Sequence, residues 1–191
     1  MSGNPETILR TLDGYLTEPT ELIIYGRAAL DLGYPASDSD RNPDFSSTLD
    51  VDAILPSEKI DTIDQDDQFW NAIERTNEDL STSGLYITHF FQDDQVILRP
   101  QWLSQIEPIH LSPPLALLQL ARPHTIDLAL TKMMRIDPQD RDDLLYLTST
   151  MTADERQTLI ASFPSASCPE IPEILQAFEA NQQWLTDHLP C

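Results

Sequence analysis

The sequence predicts an α+β fold, a mixed β-sheet flanked by helices, with a helical C-terminal third. The apolar run Leu22-Ile23-Ile24-Tyr25, which stops at Gly26, reads as a buried strand, and Thr48 to Leu55, which stops at Pro56, as a second strand. Segments with apolar residues three and four apart lie between and after them, as helices that cover a sheet require. From Thr125 onward the helix-start signals follow one another without a further strand-like run.

In chain order, Asn4-Pro5-Glu6 supplies a capping Asn, a proline in the first turn and an acid beside the helix dipole; Ile8, Leu9, Leu12 and Leu16 then trace one apolar face. Leu22 to Tyr25 is a strand, Gly26 a corner, and Arg27 to Leu32 a short helix. Gly33 to Ser47, rich in Asp, Ser, Pro and Asn, reads as a surface loop returning the chain to a second strand, Thr48 to Leu55, which Pro56 closes. Phe69, Trp70, Ile73 and Leu80 mark a helix over about 66–80; Leu85 to Phe91 and Val96 to Leu98 look like strands around an Asp93-Asp94 turn. After a proline-rich connection from Ile109 to Pro114, Leu115 to Leu120 suits a further strand. Thr125 then caps a helix with an Ile126, Ala129, Leu130, Met133, Met134 stripe that stops near Ile136. Asp137-Pro138 starts another, Thr152-Ala153-Asp154-Glu155 is a capping box, and Ile171, Ile174, Leu175 and Phe178 mark the last helix, before Trp184.

The length of 191 residues suits a single domain, with a sheet core over about 20–125 and a helical part over about 125–191. With 32 acidic and 11 basic residues the net charge is -21, which opposes binding to a phosphate backbone. Any nucleic-acid role would need a local basic patch, which the two lysines and scattered arginines do not form, whereas a basic protein partner suits the charge. The two cysteines, Cys168 and Cys191, form no metal-ligand spacing and no disulfide framework, in keeping with a reducing compartment. No secretory leader pattern opens the chain and no apolar run has membrane-spanning length, so a soluble, cytoplasmic protein without a membrane partner is expected.

The chemistry-bearing residues begin with Thr48-Leu49-Asp50-Val51-Asp52. Residues two apart on a strand share a face, so Asp50 and Asp52 present paired carboxylates suited to a divalent cation; the alternative is a solvated polar face. Asp38-Ser39-Asp40 has the same spacing but no apolar strand around it. Gly26, between strand and helix, allows a phosphate to approach backbone amides, or is a plain turn. Arg27 either adds charge to that pocket or pairs with a surface acid. Lys132 stands among apolar residues as one of two lysines and suits a phosphate, with snorkelling to the surface as the alternative. Asp140 and Asp143 share a helix face, within reach of Lys132, Arg135 or Arg141, or simply solvate a helix start. The four histidines, His89, His110, His124 and His188, show no ligand spacing and read as structural or exposed.

Taken in order, these pieces resemble the nucleotidyltransferase superfamily, most closely a small bacterial nucleotidyltransferase-like group related to the toxins of abortive-infection toxin–antitoxin systems. The resemblance runs from about Leu22 to Leu147. It rests on Gly26-Arg27 after a strand, on Thr48-Leu49-Asp50-Val51-Asp52, and on the late Lys132, Arg135, Asp140 and Asp143. It implies a metal-dependent transfer of a nucleoside monophosphate from a nucleoside triphosphate to a hydroxyl of a protein or RNA, in a toxin–antitoxin context. Asp50 and Asp52 would hold Mg²⁺ or Mn²⁺ and act in catalysis with Lys132. Gly26, Arg27, Lys132, Asp140 and Asp143 would line the nucleotide. Two departures accompany the match: Arg27 replaces a small residue, and Leu85 to Phe91 contains no third carboxylate, leaving Asp93 or Asp94 as substitutes. The alternative is a catalytically silent nucleotidyltransferase fold that binds a basic partner through its acidic surface.

Overall fold

The computed structural model of the protein describes residues 3–34 and 43–189. Asp38-Ser39-Asp40, Cys191 and the middle of the expected 33–47 loop lie outside them. The chain divides into two compact units, a sheet unit holding the chain up to Gln92 together with Ile106–Arg122, and a helical unit holding Asp93–Gln105 together with the chain from Pro123 onward. The helical unit takes the Asp93–Gln105 segment in addition to the C-terminal third.

The sheet unit runs α1 (Asn4–Tyr15), β1 (Thr20–Tyr25), α2 (Gly26–Gly33), α3 (Pro43–Ser46), β2 (Asp50–Leu55), α4 (Ile60–Asp64), α5 (Asp67–Leu80), β3 (Tyr86–Gln92), β4 (Glu107–Ile109) and β5 (Leu118–Arg122). The strands form one five-stranded mixed sheet in the order β3-β2-β1-β5-β4. β1 runs antiparallel to β2 and parallel to β5, β2 runs parallel to β3, and β4 is antiparallel to β5.

α1 buries Ile8, Leu9 and Leu12 completely, as the apolar spacing predicts. Its cap differs from expectation. Gly3 occupies the N-cap position, and Asn4, already helical, donates from Nδ2 to the Ser47 carbonyl at 3.2 Å. Near the other end of α1, Asp13 accepts hydrogen bonds from the amides of Ala116, Leu117 and Leu118, each at 2.8 Å, and so fixes the lead-in to β5. Burial alone would push the Asp13 carboxyl up, but the three amides and the charge of Arg10 outweigh it and hold it below its ordinary value.

β1 stops just before Gly26, as the sequence indicates, and α5 is capped by Asp66, which accepts from the Phe69 amide. Three local features differ. The 33–47 segment is not all loop, because α2 extends through Gly33 and Pro43–Ser46 is a helical turn. β2 starts at Asp50 rather than Thr48, because the Thr48 amide is spent on the Phe45 carbonyl at 3.2 Å. The last expected strand is displaced to Leu118–Arg122 and is joined by the unanticipated β4, in which Pro108 lies on an edge strand that needs no continuous donor row.

The helical unit contains α6 (Thr125–Thr131), α7 (Pro138–Thr150), α8 (Ala153–Ser162) and α9 (Pro172–His188). Every residue of α6 is buried, and its cap is His124, which accepts from the Ile126 amide at 3.2 Å, in place of the expected Thr125. Within this interior the Arg99 guanidinium grips the Asp127 carboxylate at 2.6 and 3.0 Å while the Arg99 amide adds a third bond, so a buried charge pair is reinforced by hydrogen bonds to both carboxylate oxygens. Val96 to Leu98 is not a strand. Asp93–Gln95 is a 3₁₀ turn, and only Leu98 makes a bridge, to Ser167. Asp137 caps α7, and Thr152 and Glu155 close both halves of the capping box on α8, as expected. The Thr152 amide and hydroxyl hold the Glu155 carboxyl below its ordinary value, and burial pushes the Cys168 thiol up. Among the described residues no helix is long and apolar enough to cross a membrane.

Candidate functional site

The site residues of the sheet unit gather where β1 ends and β2 begins. β1 must turn sharply into α2, and Gly26 makes that corner with φ of +68°, a left-handed conformation that side chains with a Cβ disfavour. The antiparallel register pairs Tyr25 with Asp52, so the corner lies beside that carboxylate: a Cβ built on Gly26 would stand 3.7 Å from Asp52 Oδ2. Tyr25, in the N-cap position of α2, makes no side-chain hydrogen bond to the first turn.

Along β2, Asp50 and Asp52 are half-buried while Val51 between them is completely buried. The pleat therefore turns both carboxylates to one face, as their spacing predicts. The Thr48 hydroxyl donates to Asp50 Oδ1 at 3.0 Å, which gives the threonine of the Thr-Leu-Asp-Val-Asp run a definite partner.

β3 adds what the sequence reading missed. The ladder pairs Val51 with Ile87 and Ala53 with Phe90, so one residue of β2, Asp52, faces two of β3, Thr88 and His89. This β-bulge turns both side chains onto one carboxylate oxygen: Thr88 Oγ1 donates to Asp52 Oδ1 at 2.7 Å, and His89 Nδ1 lies 3.3 Å from the same atom. A carboxylate only accepts, so this contact selects the His89 tautomer protonated at Nδ1. His89 is thus exposed, as expected, but not idle. No signal in one sequence announces a bulge, because Leu85 to Phe91 simply reads as a continuous strand.

The bulge is held on both sides. Upstream, the Asn77 carboxamide accepts from the Ile87 amide at 2.7 Å and donates to the Ile87 carbonyl at 3.0 Å, clamping the edge of the sheet. Downstream, Phe90 packs edge-on against Phe69 and Trp70, with ring centroids 5.7 and 5.0 Å away.

The remaining sequence candidates have contacts of their own. The Arg27 guanidinium stands over the Phe45 ring, 5.7 Å from its centroid. Asp93 and Asp94 follow the end of β3, where Gln92 pairs with Leu55, and the β3 positions opposite Asp52 carry no carboxylate. Lys132, Arg135, Asp140 and Asp143 belong to the helical unit and form a cluster of their own. The Lys132 ammonium is buried rather than snorkelling, 2.6 Å from Asp143 and 3.4 Å from Asp140, and Arg135 closes on the other Asp140 oxygen at 2.8 Å. Asn181 donates to the Met133 and Arg135 carbonyls at 3.1 and 2.8 Å, tying α9 to the end of the turn that carries Lys132.

Among the described residues no group of three or more His, Cys, Asp or Glu side chains closes into a ready-made cation cage. Asp50 and Asp52 could supply the one or two carboxylates that a cation of the Mg²⁺ type takes from protein, the rest of its shell being phosphate oxygens and water. No family model matches this chain, and no curated protein and no solved structure matches it.

Proposed function

We propose that the sheet unit carries a nucleoside triphosphate site of the nucleotidyltransferase type, transferring a nucleoside monophosphate to a hydroxyl of a protein or RNA with the help of Mg²⁺ or Mn²⁺. The observation that supports it most is the convergence of Asp52 Oδ2 with the left-handed Gly26 corner, while Asp50 shares the face of Asp52. In this reading Asp50 and Asp52 hold the cation, which supplies charge neutralisation at the transferring phosphate. The first-turn amides of α2 receive the triphosphate, because N–H groups at a helix start attract an anion and Gly26 adds no Cβ to keep it away. The chain's own contribution is then positioning and fixed charge. Lys132, Asp140 and Asp143 take a structural part, since the lysine's charge is already matched by two carboxylates of its own unit.

The test is incubation with labelled nucleoside triphosphates, Mg²⁺ or Mn²⁺, and mixed RNA and protein acceptors. Label should move to an acceptor and should stay in the triphosphate with Asp50→Ala/Asp52→Ala. Equal transfer by that variant sinks the assignment of the two aspartates.

A second reading, a nucleotidyltransferase-type fold that binds a basic protein without transferring anything, is favoured by the lack of a carboxylate at Thr88 and His89 opposite Asp52 and by the net charge of -21. It predicts no transfer under any condition, and a stoichiometric, salt-sensitive partner whose binding is indifferent to Asp50→Ala/Asp52→Ala.

A further inference from the structure

We infer that Thr88 and His89 are positioning residues for the cation-binding oxygen of Asp52; the inference rests on the cation-site reading and adds to it two residues of β3. Two donors converge on one oxygen of a single carboxylate, Oδ1, at 2.7 and 3.3 Å. The other oxygen, Oδ2, faces the Gly26 corner and has no hydrogen-bond partner among the described residues. A carboxylate pinned through one oxygen has little freedom to rotate, so its second oxygen is presented in a fixed direction.

Regular strand pairing cannot produce this arrangement. Successive side chains of a strand point to opposite faces, so in an unbroken ladder only one of positions 88 and 89 would share a face with Asp52. The bulge gives up regular pairing to bring both there, and the Asn77 clamp and the Phe90 contacts fix it in place. Folding alone does not ask for these bonds. The Asp52 side chain is 26% exposed and that of His89 63%, so water can solvate the carboxylate without either donor.

The two donors also act on charge. Asp50 and Asp52 are like charges on one face, and each has one oxygen held by a threonine hydroxyl, from Thr48 and from Thr88. Donors on these oxygens offset part of the mutual repulsion and keep both carboxylates aimed before a cation arrives. Partners of this kind behind a metal-binding carboxylate fix its orientation, and losing them weakens the metal even though they never touch it.

The experiment uses Mn²⁺ alone as probe, titrated into the full chain and followed by the paramagnetic resonance signal of the free ion. The variants are Thr88→Val/His89→Ala, which removes both donors, and Thr88→Ser/His89→Asn, which keeps a hydroxyl and an N–H near the same places. The first should raise the Mn²⁺ dissociation constant by about 10- to 100-fold. The second should stay close to wild type, and thermal melts of both should match wild type because the substituted side chains are exposed. A Thr88→Val/His89→Ala protein that binds Mn²⁺ as tightly as wild type, or more tightly, overturns the positioning role and leaves the cation site standing. A wild-type chain whose Mn²⁺ binding does not differ from that of Asp50→Ala/Asp52→Ala overturns both.

Discussion

Two glycines of the sheet unit separate conformational demand from chemical demand. Gly26 and Gly84 both have left-handed backbones, with φ of +68° and +66°. A Cβ at Gly84 would meet nothing within 4 Å, whereas one at Gly26 would meet Asp52 Oδ2 at 3.7 Å, an ordinary contact. Gly26→Ala and Gly84→Ala should therefore cost similar stability, about 1–2 kcal/mol each, from forcing an L-residue into that region. Only Gly26→Ala should weaken Mn²⁺ binding, because only there does a methyl group shield the oxygen proposed as a ligand. Thermal melts and Mn²⁺ titrations on the two variants check this, and equal Mn²⁺ binding in both would remove Gly26 from the site. At this scale the sequence was informative where a residue type has few uses: a glycine between strand and helix, and two aspartates at strand spacing. It was silent on Thr88 and His89, whose importance comes from a register shift. It placed Asp140 and Asp143 within reach of Lys132, the pairing that forms, but left the lysine itself open between phosphate binding and the surface when it is buried.

Elements are fixed by a few polar contacts at their ends, and Asp13 shows how much one can do. Its carboxylate gathers the amides of Ala116, Leu117 and Leu118, some hundred residues along the chain, and so ties α1 to the start of β5. Asp13→Ala should destabilise the protein by about 2 kcal/mol at neutral pH, because charge-assisted bonds to backbone amides are lost together. The carboxyl is held below its ordinary value, so its contribution is complete above the pKa of an unfolded aspartate, about 3.9, and is lost as pH falls through the lower folded value. The difference in stability between wild type and Asp13→Ala should accordingly stay constant from pH 7 to about 5 and narrow below about 4. Urea melts at several pH values measure it, and a difference that widens in acid contradicts the assignment. The same contact explains what remained hidden. The capping box, Asp137-Pro138, the Asp93-Asp94 turn and the Gly26 corner are local signals and were read correctly, while β4 and the displaced start of β5 depend on partners distant in sequence. The helix caps at Gly3 and His124 went to residues next to the expected ones because Asn4 and Thr125 had already entered the helix.

For the molecule as a whole, the dominant number is the net charge of -21 on 191 residues. Like charges at that density repel one another in the compact state, and the repulsion reaches furthest when salt is scarce: the screening length is about 30 Å at 0.01 M and about 8 Å at 0.15 M. Attractive pairs compensate unevenly. Lys59–Glu21 is an exposed pair, 43% and 39% open to solvent, which contributes little and loses that little in salt. Arg99–Asp127 and Lys132–Asp143 are buried, with at most 11% exposure on any partner, and are screened far less. Adding salt therefore removes more repulsion than attraction. The melting temperature should rise from 10 mM to about 150 mM NaCl and then level off, since the screening length changes little beyond that point. Scanning fluorimetry across a salt series checks it, and a steady fall would mean that exposed ion pairs, rather than buried ones, hold the fold. The sign also bears on function. A basic partner held by the acidic surface would be released over the same salt range in which the chain itself becomes more stable. Loss of binding at 150 mM NaCl could then not be put down to unfolding, and a triphosphate site built on Gly26, Asp50 and Asp52 would retain its ligand where a surface-bound protein would not.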